Sequence, residues 1–289
     1  MSKKIDKIIH SLNEISKSIN RINPTYNKFD KKLFNSYKCF FWDSKFNTLR
    51  PVKKVNRINI ECLIGIDSAK KNLMENTKHF ARGLSANNVL LWGSRGMGKS
   101  SLVKAVHFEV NNNINPNLYL IEIEKNDLST IPLLLANLED DSKRFIIFCD
   151  DLSFENTNDN YKSLKTILEG GLEEKPSNVL FYATSNRRHL IPKSLIDDDT
   201  YDSINSKENI DEKISLSDRF GIWIGFHKCT HDDYKEMVLN YAKQFNIHFL
   251  KDEFLYEATQ WSINRGSRSG RVAWQFILNY CAQKGIKLF

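Results

Sequence analysis

The stretch 88-NVLLWGSRGMGKSSLVKAV-106 decides how the rest of the chain is read. Val89 to Trp92 is an apolar run short enough for a buried strand, and Ser101 to Val106 continues as a helix. Between them Gly93 to Ser100 spells G-x-x-x-x-G-K-S. Glycines at 93, 96 and 98 allow successive backbone N–H groups to turn inward as a nest. The helix that follows adds the partial positive charge of its N-terminus. Lys99 then reaches β- and γ-phosphates, and the Ser100 hydroxyl suits Mg²⁺. With glycine near 7% of average residues, the four fixed positions match by chance in only about 1% of chains this long. A plain glycine turn does not explain why Lys and Ser follow the third glycine. The loop from Gly93 through Ser94, Arg95, Gly96, Met97 and Gly98 to Lys99, Ser100 and Ser101 is therefore a nucleotide cradle.

From Leu63 onward, apolar runs alternate with helical patterns. A helix capped at Asp67 or Ser68 runs towards Gly83, and strands are expected at 118–123, 145–149, 179–184 and 222–226. Helices are expected at 131–138 and 161–168. An acidic polar stretch, 197–213, reads as a loop, and beyond Thr230 the pattern is helical at 231–245, 252–264 and 269–281. Wholly apolar strands between helices mean a parallel sheet covered on both faces. Ligands then sit at the strands' carboxyl ends. Those ends carry the rest of the chemistry. "FIIFCDD" places Asp150 to hold Mg²⁺ and Asp151 to orient or deprotonate the attacking water. "YATSNRR" places the Asn186 amide near the γ-phosphate without adding charge, with Thr184 as its substitute. "LSDRFG" places Arg219 before the fifth strand as a transition-state arginine for a neighbouring subunit. "RGSRSGRVAWQF" places Arg271, then Arg268, at the start of the last helix as lid arginines.

Composition bounds the alternatives. With 289 residues, 41% of them apolar, the chain can fill a core. It has no run of about 18 apolar residues and no signal-like apolar segment, which points away from a membrane and to the cytoplasm. Five scattered cysteines form no C-x-x-C pair. Residues 1–62 hold 14 Lys and Arg against 5 Asp and Glu, so the basic excess of the +7 chain lies there, leaving a slight acidic balance elsewhere. A solvated basic face is the commoner meaning of such an arm, and nucleic acid the less favoured one. Within it, Ile5, Ile8, Leu12, Ile15, Ile19 and Ile22 form a helical stripe ended by Pro24, and 25–60 reads as an irregular helical arm. No N-K-x-D guanine motif occurs, and the segment after the second strand lacks an aromatic–apolar–Gly pore loop.

In this order the motifs resemble the AAA+ class of P-loop ATPases. "GSRGMGKS" and "FIIFCDD" resemble Walker A and Walker B, and "LIGID" resembles the adenine-lining segment near Leu63 to Gly65, with Ile64 and Gly65 as its binding residues. "ATSN", "SDRF" and "SGR" resemble sensor 1, the arginine-finger box and sensor 2. More closely, "FCDDLSFE", "YATSNRRHL", "EKISLSDRFG" and "RGSRSGRVAWQF" resemble domain-of-unknown-function family 815. The resemblance implies an α/β core with a five-strand parallel sheet in the order 5-1-4-3-2. It also implies a C-terminal helical lid, with the N-terminal helical arm standing outside the strong match. The domains expected are an arm at 1–60, a nucleotide core at 61–228 and a lid at 229–289. ATP and Mg²⁺ are the expected cofactors. Homo-oligomers and an unidentified protein are the expected partners. Asp151 departs from the Glu more often found at its position.

Overall fold

The computed structural model describes residues 11, 29, 32–138, 142–153, 164, 165, 168, 176–188, 190 and 217–288. The isoleucine stripe, most of the expected 161–168 helix and the acidic 197–213 stretch lie outside them. A short helix, α1 (Leu33–Ser36), is followed by a hairpin of β1 (Cys39–Asp43) and β2 (Thr48–Pro51). Helix α2 (Asp67–Ala81) leads to β3 (Val89–Gly93), α3 (Lys99–Asn113) and β4 (Leu118–Ile123). A 3₁₀ turn, Lys125–Thr130, continues into α4 (Ile131–Leu135), and then come β5 (Arg144–Cys149), β6 (Val179–Ser185) and β7 (Ile222–Phe226). Three helices close the chain: α5 (His231–Gln244), α6 (Lys251–Asn264) and α7 (Gly270–Gln283).

The strands form one sheet in the order β2-β1-β4-β5-β6-β3-β7, in which only the β1–β2 pair is antiparallel. β6 is buried at all seven positions, as a strand covered on both faces must be. One face packs on α2, α3 and the C-terminal helices through residues such as Leu73, Leu102, Val106, Phe148 and Ala273. The other packs on α1, the 3₁₀ turn and α4 through Phe34, Tyr119, Leu128, Ile131 and Phe181.

Four expectations are corrected. Among the described residues the sheet has seven strands and not five: the expected five run β7-β3-β6-β5-β4, and within the segment read as an irregular helical arm, residues 39–51 form a hairpin whose β1 extends the sheet beside β4. The physical reason is a period of two: Phe40 and Trp42 are buried and their neighbours are half-buried. Phe34 seats this edge, with ring centroids 5.1 Å from Phe40, 4.9 Å from Tyr119 and 5.5 Å from Phe145. The turn is pinned as well, since Trp42 Nε1 donates to Thr130 Oγ1 at 2.8 Å and Ser44 Oγ to Asp127 Oδ1 at 2.7 Å. At α2 neither Asp67 nor Ser68 is the cap. Ile66 holds that place without a side-chain bond, and Asp67 stands in the first turn, where its charge suits the helix dipole. The 131–138 helix shortens to α4 and takes the 3₁₀ turn before it.

α3 is tied to the hairpin by His107, which is 3% exposed. Its Nε2 lies 3.1 Å from the Leu118 carbonyl, which only accepts, so Nε2 carries the proton and Nδ1 accepts from the Cys39 thiol at 3.8 Å. Burial pushes the imidazole pKa down to about 4. A depressed pKa means that stability is complete above the unfolded value of about 6.5 and is lost as pH falls towards 4. At pH 5 the wild-type chain should be about 2 kcal/mol less stable than at pH 7.5 on this account. His107→Gln should flatten that difference in urea unfolding; an equal slope in the variant would place the titration elsewhere.

Candidate functional site

The carboxyl ends of β3, β5 and β6 meet beneath the N-terminus of α7, around a cavity of about 690 Å³. Arg95, Gly96, Met97, Gly98, Lys99, Ser100 and Ser101 line it, with Ile64, Asp150, Asp151, Thr184, Asn186 and Arg271. Gly93 and Ser94 stand just behind, and their carbonyls accept from Lys99 Nζ, each at 2.9 Å. Gly65 and Arg268 do not line the cavity.

The loop's glycines are required by contact. Gly93 has φ +123°, and a Cβ there would lie 2.1 Å from the Phe226 carbonyl of the neighbouring strand. Gly96 has φ +73°; its carbonyl accepts from Arg271 N at 3.2 Å, and a Cβ would meet Ser269 Oγ at 2.8 Å. Ser269 itself caps α7 by accepting from Val272 N at 3.2 Å. The glycine loop and the start of α7 are thus joined through backbone.

Lys99 is 8% exposed, and burial pushes its pKa down to about 8, partly opposed by Asp150 and Asp151 and reinforced by Arg271 and Arg95. Three cations face one cavity, a charge pattern suited to a polyphosphate. Asn186 bridges the chemistry: Oδ1 accepts from Lys99 Nζ at 3.1 Å, and Nδ2 donates to Asp151 Oδ1. Ser100 Oγ donates to Asp150 Oδ1 at 2.6 Å, and Thr184 Oγ1 donates to the same oxygen while accepting from Asp151 N at 3.0 Å. A hydroxyl and a carboxylate side by side, beside a glycine cradle, fit hard-cation ligation of the Mg²⁺ type. Asp151 has φ +52°, in the left-handed region that costs most non-glycine residues free energy but that Asp tolerates.

Arg219 is not brought to this cavity. β7 runs parallel to β3, with Ile222 beside Val89 and Phe226 beside Gly93. Arg219 precedes β7, so it lies a strand length, roughly 15 Å, from the start of the loop.

Of the opposite wall, only the segment from Leu63 was read from the sequence, as adenine-lining. Ile58, Cys62, Leu63, Met237, Tyr241 and Trp274 line it. Trp274 has ring centroids 5.4 Å from both Tyr241 and Phe245. Asn240 donates to the Glu61 carbonyl at 2.9 Å and Cys62 to Gln244, which fastens α5 over the 60–62 segment. Spacing alone would class Tyr241 and Trp274 as core-facing helix residues, so no local signal marks them.

Among curated proteins, the chain is 27% identical over 209 residues to the Holliday junction branch migration complex subunit RuvB of Mycoplasmopsis synoviae. That alignment takes in 70% of this chain but spans only 60% of the relative. Among solved structures, the chain is similar to Aeropyrum pernix Orc1 in complex with DNA, at TM-score 0.56 and 15% identity, over 78% of this chain and 62% of that one. It is also similar to domain III of the Thermotoga maritima replication initiation protein DnaA, at TM-score 0.51 and 14% identity, over 80% and 92% of the two chains. At these identities the likeness concerns the fold. No helix among the described residues is long and apolar enough to cross a membrane. The family described as "Protein of unknown function (DUF815)" matches residues 35–284, from within α1 through α7. The chain belongs to that family, and its fold is similar to those of the solved structures named above.

Proposed function

We propose that the chain is an ATP-binding, Mg²⁺-dependent ATPase of the AAA+ type that works as a switch in a homo-oligomer, its site completed by Arg219 of a neighbouring copy. The observation that carries this is the convergence of Lys99, Arg95 and Arg271 on one cavity with the Ser100–Asp150 pair and the Asn186–Asp151 bridge. The bound nucleotide supplies the phosphoanhydride whose terminal phosphoryl passes to water. The chain's residues position and neutralise. Lys99 and the loop amides hold phosphate oxygens, Ser100 and Asp150 hold the metal, and Asp151, oriented by Asn186, takes the proton of water. Arg271 ties the lid to the phosphate end, since its backbone already bonds the loop. In this reading 229–289 serves as the lid.

Turnover per subunit should rise with protein concentration in the presence of Mg²⁺, with Lys99→Ala as blank. A flat rate above the blank would mean that each monomer carries a complete site, which defeats the shared-site reading.

The apolar wall takes the base. Trp274 lies one helical turn beyond Arg271, so a single helix touches both ends of the nucleotide. Trp274→Ala should weaken ATP binding about tenfold, near the upper range of an aromatic contact. Calorimetry showing unchanged affinity would place the base elsewhere.

A second reading, an ATP-gated loader or adaptor on DNA with slow hydrolysis, is favoured by one observation. The curated relative is named for Holliday junction branch migration, and the Orc1 structure is a complex with DNA. Nucleic acid therefore stands beside protein as a partner, more strongly than charge alone indicated.

A further inference from the structure

The hairpin that the sequence concealed has an unusual surface. Residues 38–57 contain six Lys and Arg and a single acid, Asp43. Lys45, Arg50, Lys53, Lys54 and Arg57 are all exposed, and none forms an ion pair with a carboxylate among the described residues. Two are instead set against rings: the Arg50 guanidinium stands 5.0 Å from the Phe41 centroid and that of Arg57 3.0 Å from Phe108. Phe46, in the turn between β1 and β2, is 61% exposed.

Ordinary edge protection does not account for this set. β2 is an outer strand, and a charged residue on it discourages pairing with another chain, which explains Arg50. Lys45 lies in the turn, and Lys53, Lys54 and Arg57 lie beyond the strand, where no edge needs guarding. A protein-docking face would want a contiguous apolar centre. Here Phe46 is the single strongly exposed large apolar side chain of this stretch; Lys45 is beside it in the turn, and Arg50, Lys53, Lys54 and Arg57 follow along β2 and beyond. Several unneutralised cations along one hairpin, with an open ring at its turn, are what a nucleic acid strand uses: phosphates for the charges and a base for the ring.

We infer that the β1–β2 hairpin, with the segment to Arg57, binds the phosphate backbone of nucleic acid, and that Phe46 stacks on an unpaired base. The choice of polymer rests on the DNA-directed reading above but not on ATP turnover. None of the hairpin's basic residues lines the nucleotide cavity, so the two surfaces can be tested separately.

The test is fluorescence anisotropy of a labelled 30-nucleotide oligo(dT) with the full chain, over a range of salt. Five phosphate contacts give a log–log slope of about −3.5 for a single strand. Substituting Arg50→Gln, Lys53→Gln and Lys54→Gln together should reduce the slope by about 2 and weaken binding at low salt at least tenfold. Phe46→Ala should weaken binding about fivefold or more with the slope unchanged, because a ring displaces no counterion. ATP affinity and the thermal midpoint, read on the same variants, should not move. Strand binding that persists with an unchanged slope in the triple variant overturns the hairpin assignment and leaves the DNA-directed reading standing. No binding by the wild-type chain at low salt overturns both. Hairpin-dependent binding to phosphatidylserine vesicles without binding to the oligonucleotide overturns the inference in favour of a membrane surface.

Discussion

Arg219→Ala should lower ATP turnover per subunit by about 10³-fold or more and leave ATP affinity unchanged, as expected of an arginine that meets only transition-state charge. The fold makes this a test of assembly. Arg219 stands at the amino end of β7 and the phosphate loop at the carboxyl end of β3, so the two cannot meet within one copy. Its loop is held firmly: Trp223 Nε1 donates to the Ser217 and Phe220 carbonyls at 3.0 and 3.1 Å. At Gly221 a Cβ would fall 2.3 Å from Asn87 Oδ1, so the chain passes there at close quarters. A side chain presented from such a support is preorganised, which is what a trans arginine requires. Mixing gives the sharpest result. Lys99→Ala and Arg219→Ala are each inactive, yet in a mixed assembly an Arg219→Ala copy keeps its Lys99 and borrows Arg219 from its Lys99→Ala neighbour. Activity should reappear on mixing. Two variants that remain inactive together, while still assembling, would show that Arg219 serves its own copy or the fold. Arg219→Lys should not restore the rate, since a point charge does not replace a planar fork.

What could be read in advance followed from how local each signal was. The phosphate loop is eight consecutive residues whose types are fixed by close backbone approach, and Gly93 and Gly96 are held by such approaches. Asp150 and Asn186 end wholly apolar runs, and a parallel sheet carries such ends to one edge. The hairpin escaped because its alternation covers only five residues, Cys39 to Asp43, amid lysines. Its burial depends on Tyr119 and Phe145, about a hundred residues away. Most of the apolar wall escaped for a related reason. Tyr241 and Trp274 have the spacing of any core-facing helix residue, and only the packing of α5 against α7 opens them to the cavity. Of the two lid arginines, Arg271 rather than Arg268 faces Lys99, a distinction made by the Gly96–Arg271 backbone bond. Thr184, read as a substitute for Asn186, has a separate task at the Asp150 carboxylate.

Asp151→Asn should reduce turnover by about 10²–10⁴-fold, the range of a lost general base, with ATP affinity kept. The choice of Asn is dictated by the backbone. At φ +52° alanine would add strain to the loss of the carboxylate, whereas Asn tolerates the left-handed region as Asp does. The bond from the Asp151 amide to Thr184 Oγ1 does not involve the side chain and survives. Asn186 Nδ2 now donates to the carboxylate; in the variant it donates to an amide oxygen, so Lys99 keeps its partner. An unchanged melting temperature with lost turnover would therefore isolate proton transfer. Near-normal turnover would move the base elsewhere and leave Asp151 as an orienting group. The shorter Asp side chain, in place of Glu, already meets Asn186 from its left-handed backbone. Asp151→Glu should then fail to raise the rate, because the added methylene overruns a distance the backbone has already taken up.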